Sequence, residues 1–185
     1  PKPIVNQPKS NTMAIKEKDP ITLQRIEMIH PALRQELRQI YDEICASFPG
    51  KTGVRFVQVF RTFAEQDALY AQGRTKPGPK VTDAPGGKSY HNYGLGVDFC
   101  LLDDKNQDGV ISSDEIIWNR NTDLDKDQMN DWMEVVKIFL KYDWVWGASW
   151  KDYPHFEKSF GYSVSKLLVK YKAGEFIPGT KYVKL

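Results

Sequence analysis

Apolar side chains recur at three- and four-residue steps from Ile21 to Phe48, through Leu23, Ile26, Leu33, Leu37, Ile40 and Ile44. That spacing builds one face of a helix. Pro31 divides the run into two helices, and Pro49 with Gly50 closes it. The period then changes. VRFVQVF, Val54 to Phe60, is β-branched and aromatic and reads as a strand. Ala64 to Gln72 reads as a short helix with Gly73 at its C-terminal cap. Residues 74–88 are rich in Gly and Pro and form a loop, and GLGVDFCLL, Gly94 to Leu102, is a second strand. Met129, Trp132, Met133, Val136 and Leu140 fall on one face of a helix predicted from about Asp127 to Tyr142. Trp144 to Ala148 and Pro154 to Glu157 read as short strands. Ser163 to Ala173 is a last helix, stopped by Gly174. Strands separated by helices and long loops, without regular βαβ alternation, predict an α+β fold with a small, mostly antiparallel sheet flanked by helices. Residues 1–20 are rich in Pro, Lys and Asn without periodicity and read as a leader or linker.

With 185 residues, the chain has room for one domain, expected over 21–185. No apolar run approaches the ~18 residues of a membrane span, and PKPIVNQPKSN has no apolar segment that would make it a signal peptide. The export route is therefore not readable. The two cysteines, Cys45 and Cys100, fit neither a disulfide framework nor a paired metal motif and are expected as free thiols. Charge changes the picture more. The whole chain carries +2, but residues 103–134 hold ten acids and three bases, a net −7 that leaves +9 on the rest. A basic body suits an anionic polymer, and the acidic insert suits a cation. No aromatic-interleaved basic motif points to nucleic acid.

Two of the three histidines keep unusual company. SYHNYGLGVD places His91 seven residues before Asp98, and DYPHFE places Asp152 three residues before His155. Imidazole and carboxylate suit zinc, and catalytic zinc sites use three protein ligands and one open position. His91, Asp98 and His155 would supply that set, leaving Asp152 free to take a proton. Gly94 and Gly96 fit a tight turn before the strand that presents Asp98. The alternative at this point is a pair of histidines hydrogen-bonded near a core.

These motifs resemble those of the M15-type zinc D,L-peptidases. SxHxxGxxxD is met by Ser89, His91, Gly94 and Asp98, with Gly96 where the family usually has Ala. WGxxW followed by (D/E)xPHF is met by Trp146, Gly147, Trp150, Asp152, Pro154, His155 and Phe156. The upstream Arg and Q-x-x-LYxxGRT are met by Arg61, Gln66, Leu69, Tyr70, Gly73, Arg74 and Thr75. VTDAPGGKSYHNYG resembles the loop of the L-alanyl-D-glutamate endopeptidase branch. The likeness covers roughly residues 22–165 apart from the acidic insert. It implies a Hedgehog/D-Ala-D-Ala peptidase-like fold with zinc on His91, Asp98 and His155. It also implies Asp152 as general base and Arg61 on the substrate carbonyl. Ser89 and Gln66 are candidates for substrate contact or, alternatively, for loop and helix hydrogen bonding. Trp146 and Trp150 are expected as core or cleft wall.

Within the insert, Asp104 to Glu115 matches an EF-hand loop. Asp104, Asn106, Asp108, the Val110 carbonyl, Ser112 and Glu115 stand at calcium-ligand positions, Gly109 at the sharp turn and Ile111 at the apolar anchor. The entering element is a strand, where an EF-hand has a helix. Asp123, Asp125, Asp127, Asp131 and Glu134 repeat the spacing with Gln128 in place of Gly. They form a possible second calcium site or, alternatively, the acidic start of the following helix.

The resemblance implies a monomeric enzyme that cuts peptidoglycan stem peptides at the bacterial cell wall, with L-alanyl-D-glutamate cleavage ahead of removal of terminal D-Ala. A non-catalytic zinc and calcium module, as among Hedgehog-like relatives, is the alternative from another class, disfavoured by Asp152 and Arg61 beside all three ligands. About 28 residues follow PHFE, too few for a separate wall-binding domain. Targeting is expected from the basic surface, the leader or a missing part. Phage endolysin, housekeeping hydrolase and antibacterial toxin share this pattern, and an inhibitory or immunity partner is not readable from it.

Overall fold

The computed structural model describes residues 18–48 and 50–185; the leader up to residue 17 and Pro49 lie outside them. In chain order the elements are α1 (Pro20–Ile26), α2 (Pro31–Ser47), β1 (Thr52–Gln58), α3 (Phe63–Ala71), β2 (Gly96–Asp103), β3 (Ile116–Ile117), α4 (Asp131–Lys141), β4 (Val145–Trp146), β5 (His155–Glu157) and α5 (Val164–Lys172), with 3₁₀ turns at Tyr90–Tyr93, Ser113–Glu115 and Gly147–Trp150. Pro20 and Pro31 each open a helix, where a missing N–H costs nothing. Asp19 caps α1 by accepting from the Thr22 amide at 2.9 Å and pairs with Arg55 at 2.8 Å. The folded part therefore begins before residue 21, the expected boundary.

The strands form one antiparallel sheet in the order β1-β2-β5-β4, with β3 also on β2. One edge of β2 pairs with β1 from Asp98 to Asp103. The other takes β5 at Gly96 to Asp98 and β3 at Leu101 and Leu102. A strand flanked on both edges and covered on both faces needs apolar residues at nearly every position. In β2 only Asp98 escapes full burial. The outer edge of β1 is closed by α1, where the Phe56 amide donates to Thr22 Oγ1 at 3.0 Å and Arg25 donates to the Phe56 carbonyl at 2.6 Å.

Helices α2 and α4 cover one face of the sheet. Phe139 stacks on Phe156 at 4.1 Å, Trp132 lies 4.3 Å from Phe99, and Tyr41 meets Phe56 at 5.4 Å between ring centroids. The buried stripe of α4 is Trp132, Val135, Val136 and Phe139. This corrects the stripe expected from sequence: Met129, Met133 and Leu140 are exposed, and the helix starts at Asp131 rather than Asp127. Side chains alternate across a strand. Because Phe99 and Phe156 face the helices, their neighbours Asp98 and His155 face the other way.

Candidate active site

Register sets the site. Asp98 on β2 and His155 on β5 are direct cross-strand partners. His91 comes from the 3₁₀ turn Tyr90–Tyr93, which Ser89 caps by accepting from the His91 amide at 3.3 Å. Gly96 makes room for both rings: a Cβ there would sit 3.0 Å from His155 Cε1 and 3.3 Å from His91 Nδ1. Gly147 is equally constrained, since its Cβ would fall 2.2 Å from the Asp152 carbonyl oxygen. That contact explains the glycine in the WGxxW segment: it lets the chain fold back and present Asp152 and His155 together.

His91 Nε2, Asp98 Oδ1 and His155 Nδ1 lie 3.2, 2.9 and 3.2 Å from one another. The outward ring atoms decide what these inward atoms carry. His91 Nδ1 faces the Val59 carbonyl at 3.2 Å, and His155 Nε2 faces the Glu157 carboxylate at 3.0 Å. Both partners only accept, so the outward nitrogens hold the protons and the inward ones present lone pairs. Two imidazole lone pairs and a carboxylate oxygen converge on one point. Ligand atoms on a tetrahedral zinc at ~2.0–2.1 Å stand roughly 3.3 Å apart, so the donor set and its spacing fit this ion. Where no cation is bound, the same acceptors draw a proton onto the inward nitrogen and raise His155 to about 9, burial opposing and the bonds to Asp98 and Glu157 prevailing; a metal would take that proton's place. Asp98 is held far below the usual carboxylate range; its burial works against this, and the two histidines outweigh it.

The triad lies in an open cleft of about 1020 Å³ whose walls include Arg61, Ser89, Trp150, Asp152 and Glu157. Asp152 is exposed, yet its carboxyl is raised, by desolvation in the cleft and then by the Asp98 charge. Arg61 is half-buried, and its amide donates to the His91 carbonyl at 3.0 Å. Trp150 is 48% exposed on the cleft wall, whereas Trp146 packs against the core. Gln66 is fully buried and takes the hydrogen-bonding role that was the alternative to substrate contact. Its Oε1 accepts from Arg61 Nη1 at 2.8 Å, and its Nε2 donates to the Ala84 carbonyl at 2.7 Å. It ties the guanidinium to the loop above it. Ser89 caps its turn and lines the cleft.

Residues 82–158 match the family described as D-alanyl-D-alanine carboxypeptidase. The chain is 43% identical over 133 residues to the peptidoglycan L-alanyl-D-glutamate endopeptidase CwlK of Bacillus subtilis, covering 70% of this chain and 72% of that one. The chain belongs to the M15 peptidase family. A crystal structure of the Serratia marcescens L-Ala D-Glu endopeptidase ChiX covers 82% of this chain and 95% of its own, at 14% identity and a TM-score of 0.49, a likeness too weak to bear on the assignment.

Within that family frame, sequence reasoning missed Glu157. The signal was there: it stands two residues after His155, on the same side of a strand. A carboxylate on the far nitrogen of a metal-binding histidine fixes its orientation and basicity, and losing one typically costs 10–100-fold in metal affinity or activity. Glu157→Gln is expected to weaken zinc binding by about that factor, read by competition with a chromogenic chelator.

The acidic insert splits into two loops. Asp104 to Glu115 is the turn of the β2–β3 hairpin. There the Gly109 amide donates to Asp104 Oδ2 at 3.0 Å, the Val110 amide to Asp108 Oδ1 at 2.8 Å, and the Lys105 and Ser112 amides to Glu115 at 2.8 and 2.9 Å. Among the described residues, two groups of three or more His, Cys, Asp or Glu side chains bring ligand atoms within 4.8 Å of one another: the triad, and Asp123, Asp125 and Asp131. No helix among the described residues is long and apolar enough to cross a membrane.

Proposed function

We propose that this chain is a zinc endopeptidase that hydrolyses the L-alanyl-D-glutamate bond of peptidoglycan stem peptides at the bacterial cell wall. The observation that carries it is the convergence of His91, Asp98 and His155 lone pairs in an open cleft beside Asp152 and Arg61. The bond is that named for the Bacillus subtilis relative. Zinc held by the triad supplies Lewis acidity toward the scissile carbonyl and toward water. Asp152 takes the proton from the attacking water and passes it to the leaving amine; its raised pKa brings it nearer the working range of a general base. Arg61, fixed by Gln66, holds a positive charge where the carbonyl oxygen turns negative. Ser89 and Trp150 contact the peptide. The catalytic unit is taken as residues 19–185, from the Asp19 cap onward, acting as a monomer.

Mass spectrometry of a purified peptidoglycan digest tests this. Fragments newly ending in L-alanine are expected, abolished by a zinc chelator and restored by zinc. The match to the D-alanyl-D-alanine carboxypeptidase description favours a second reading, in which the products are free D-alanine and a stem peptide shortened by that one residue.

The 104–115 loop is proposed as a calcium site, with Asp104, Asn106, Asp108, the Val110 carbonyl, Ser112 and Glu115 as ligands in the EF-hand order. Gln107 at φ 58° and Gly109 at φ 77° give it the turn such a loop needs. An Asp104→Ala, Glu115→Ala variant is expected to bind one calcium fewer than wild type by calorimetry.

A further inference from the structure

Helix α4 begins with two buried acids. Asp131 is fully buried and Glu134 is 8% exposed. Asp131 Oδ2 accepts from the Leu124 amide at 2.7 Å. Asp131 Oδ1 and Glu134 Oε2 have no hydrogen-bond partner among the described residues. Asp131 points toward Asp123 and Asp125, whose carboxylate oxygens lie within 4.8 Å of its own. Burial of a carboxylate among carboxylates is costly unless a cation joins them. The helix does not require these acids as its cap, because Asn130 fills that role by accepting from the Met133 amide at 2.9 Å.

Over its first seven positions the backbone repeats the 104–115 loop. Lys126 and Gln128 take φ 64° and 74° where Gln107 and Gly109 take 58° and 77°. The Gln128 amide donates to Asp123 Oδ2, the Asp127 amide to Asp125 Oδ1 and the Met129 amide to Asp127 Oδ1. These match the bonds of Gly109 to Asp104, Asp108 to Asn106 and Val110 to Asp108. Gln128 therefore adopts the turn for which the sequence lacks glycine.

We propose that Asp123, Asp125, Asp127, the Met129 carbonyl, Asp131 and Glu134 form a second calcium site, independent of the first. An all-oxygen set with a glutamate in the last position suits calcium better than magnesium, which demands a stricter octahedron. In agreement, burial first and then neighbouring carboxylates push Asp131 up to about 6 and Glu134 to about 7. The site also has a mechanical task. The Asp131 amide donates to the Thr122 carbonyl and Asn130 Nδ2 to the Arg120 carbonyl. Arg120 lies over the Tyr153 ring at 3.5 Å, next in sequence to Asp152. Calcium here braces the segment that backs the catalytic turn.

The test is calorimetric titration of the zinc-loaded protein with calcium chloride, joined to hydrogen exchange over residues 119–134. Wild type is expected to bind two calcium ions per chain and Asp123→Asn, Asp125→Asn one. Those two side chains are exposed and half-buried, so the variant tests the site without opening the core. The Asp104→Ala, Glu115→Ala variant should keep one ion and keep calcium-dependent exchange protection at 119–134. One ion in wild type, lost with Asp123→Asn, Asp125→Asn and kept in the other variant, would support this site and fail the first loop. The proposal is overturned by a wild type that binds none, by a single ion that Asp104→Ala, Glu115→Ala abolishes, or by an Asp123→Asn, Asp125→Asn variant that binds as many ions as wild type.

Discussion

Asp152→Ala is expected to lower turnover of a stem-peptide substrate by about 10²–10⁴-fold, with zinc still at one ion per chain. Asp152 stands outside the three converging donor atoms, so its loss leaves the metal ligands intact. Its backbone is held independently of its carboxyl: the Asp152 amide donates to the Gly147 carbonyl at 3.0 Å, and the His155 amide to the Asp152 carbonyl at 3.2 Å. Removing the side chain therefore leaves the turn in place. Asp152→Asn preserves shape and loses the proton acceptor, so it should fall as far as alanine. Steady-state kinetics with metal analysis on the same samples checks both. Near-wild-type turnover in Asp152→Ala would move the base to another group.

The second large effect follows from removing two of the three inward lone pairs. A His91→Ala, His155→Ala double variant is expected to hold no zinc and to cut stem peptides no faster than buffer. A readout independent of activity comes from stability. A metal that binds only the folded chain stabilises it by about 2.7 kcal/mol at a hundred times its dissociation constant. Zinc should therefore raise the melting temperature of metal-stripped wild type and leave that of the double variant unmoved. Equal zinc responses in the two proteins would sink the assignment of these ligands.

The strands and the triad were legible because each rests on a local pattern. VRFVQVF reads as a strand without knowledge of its partners; the spacing of His91, Asp98 and His155 leaves two readings open, and the resemblance of their motifs to the M15 peptidases decides between them. What escaped depends on contacts across the fold. Apolar residues surround α4 on nearly all sides, so periodicity alone did not distinguish the Trp132–Phe139 stripe from the Met133–Leu140 one; the aromatic floor of Phe99 and Phe156 decides it. Gln66 lies on a nine-residue helix, too short for its sequence to say which face is buried. Glu157 gains its role from which ring nitrogen of His155 turns outward, which a sequence does not record. Strand β3 is two residues long, below the length at which alternation has meaning.

Strand β2 carries Asp98 near one end and runs into the Asp104 turn at the other. Six residues at about 3.3 Å each separate these positions by roughly 20 Å. At physiological ionic strength charges are screened over about 8 Å. A cation proposed for the hairpin turn would therefore act on the triad only weakly through its charge. Any stronger coupling is expected to run mechanically along β2, through its alignment with β1 and β5. Such a link would persist in high salt, where an effect of charge on charge would fade.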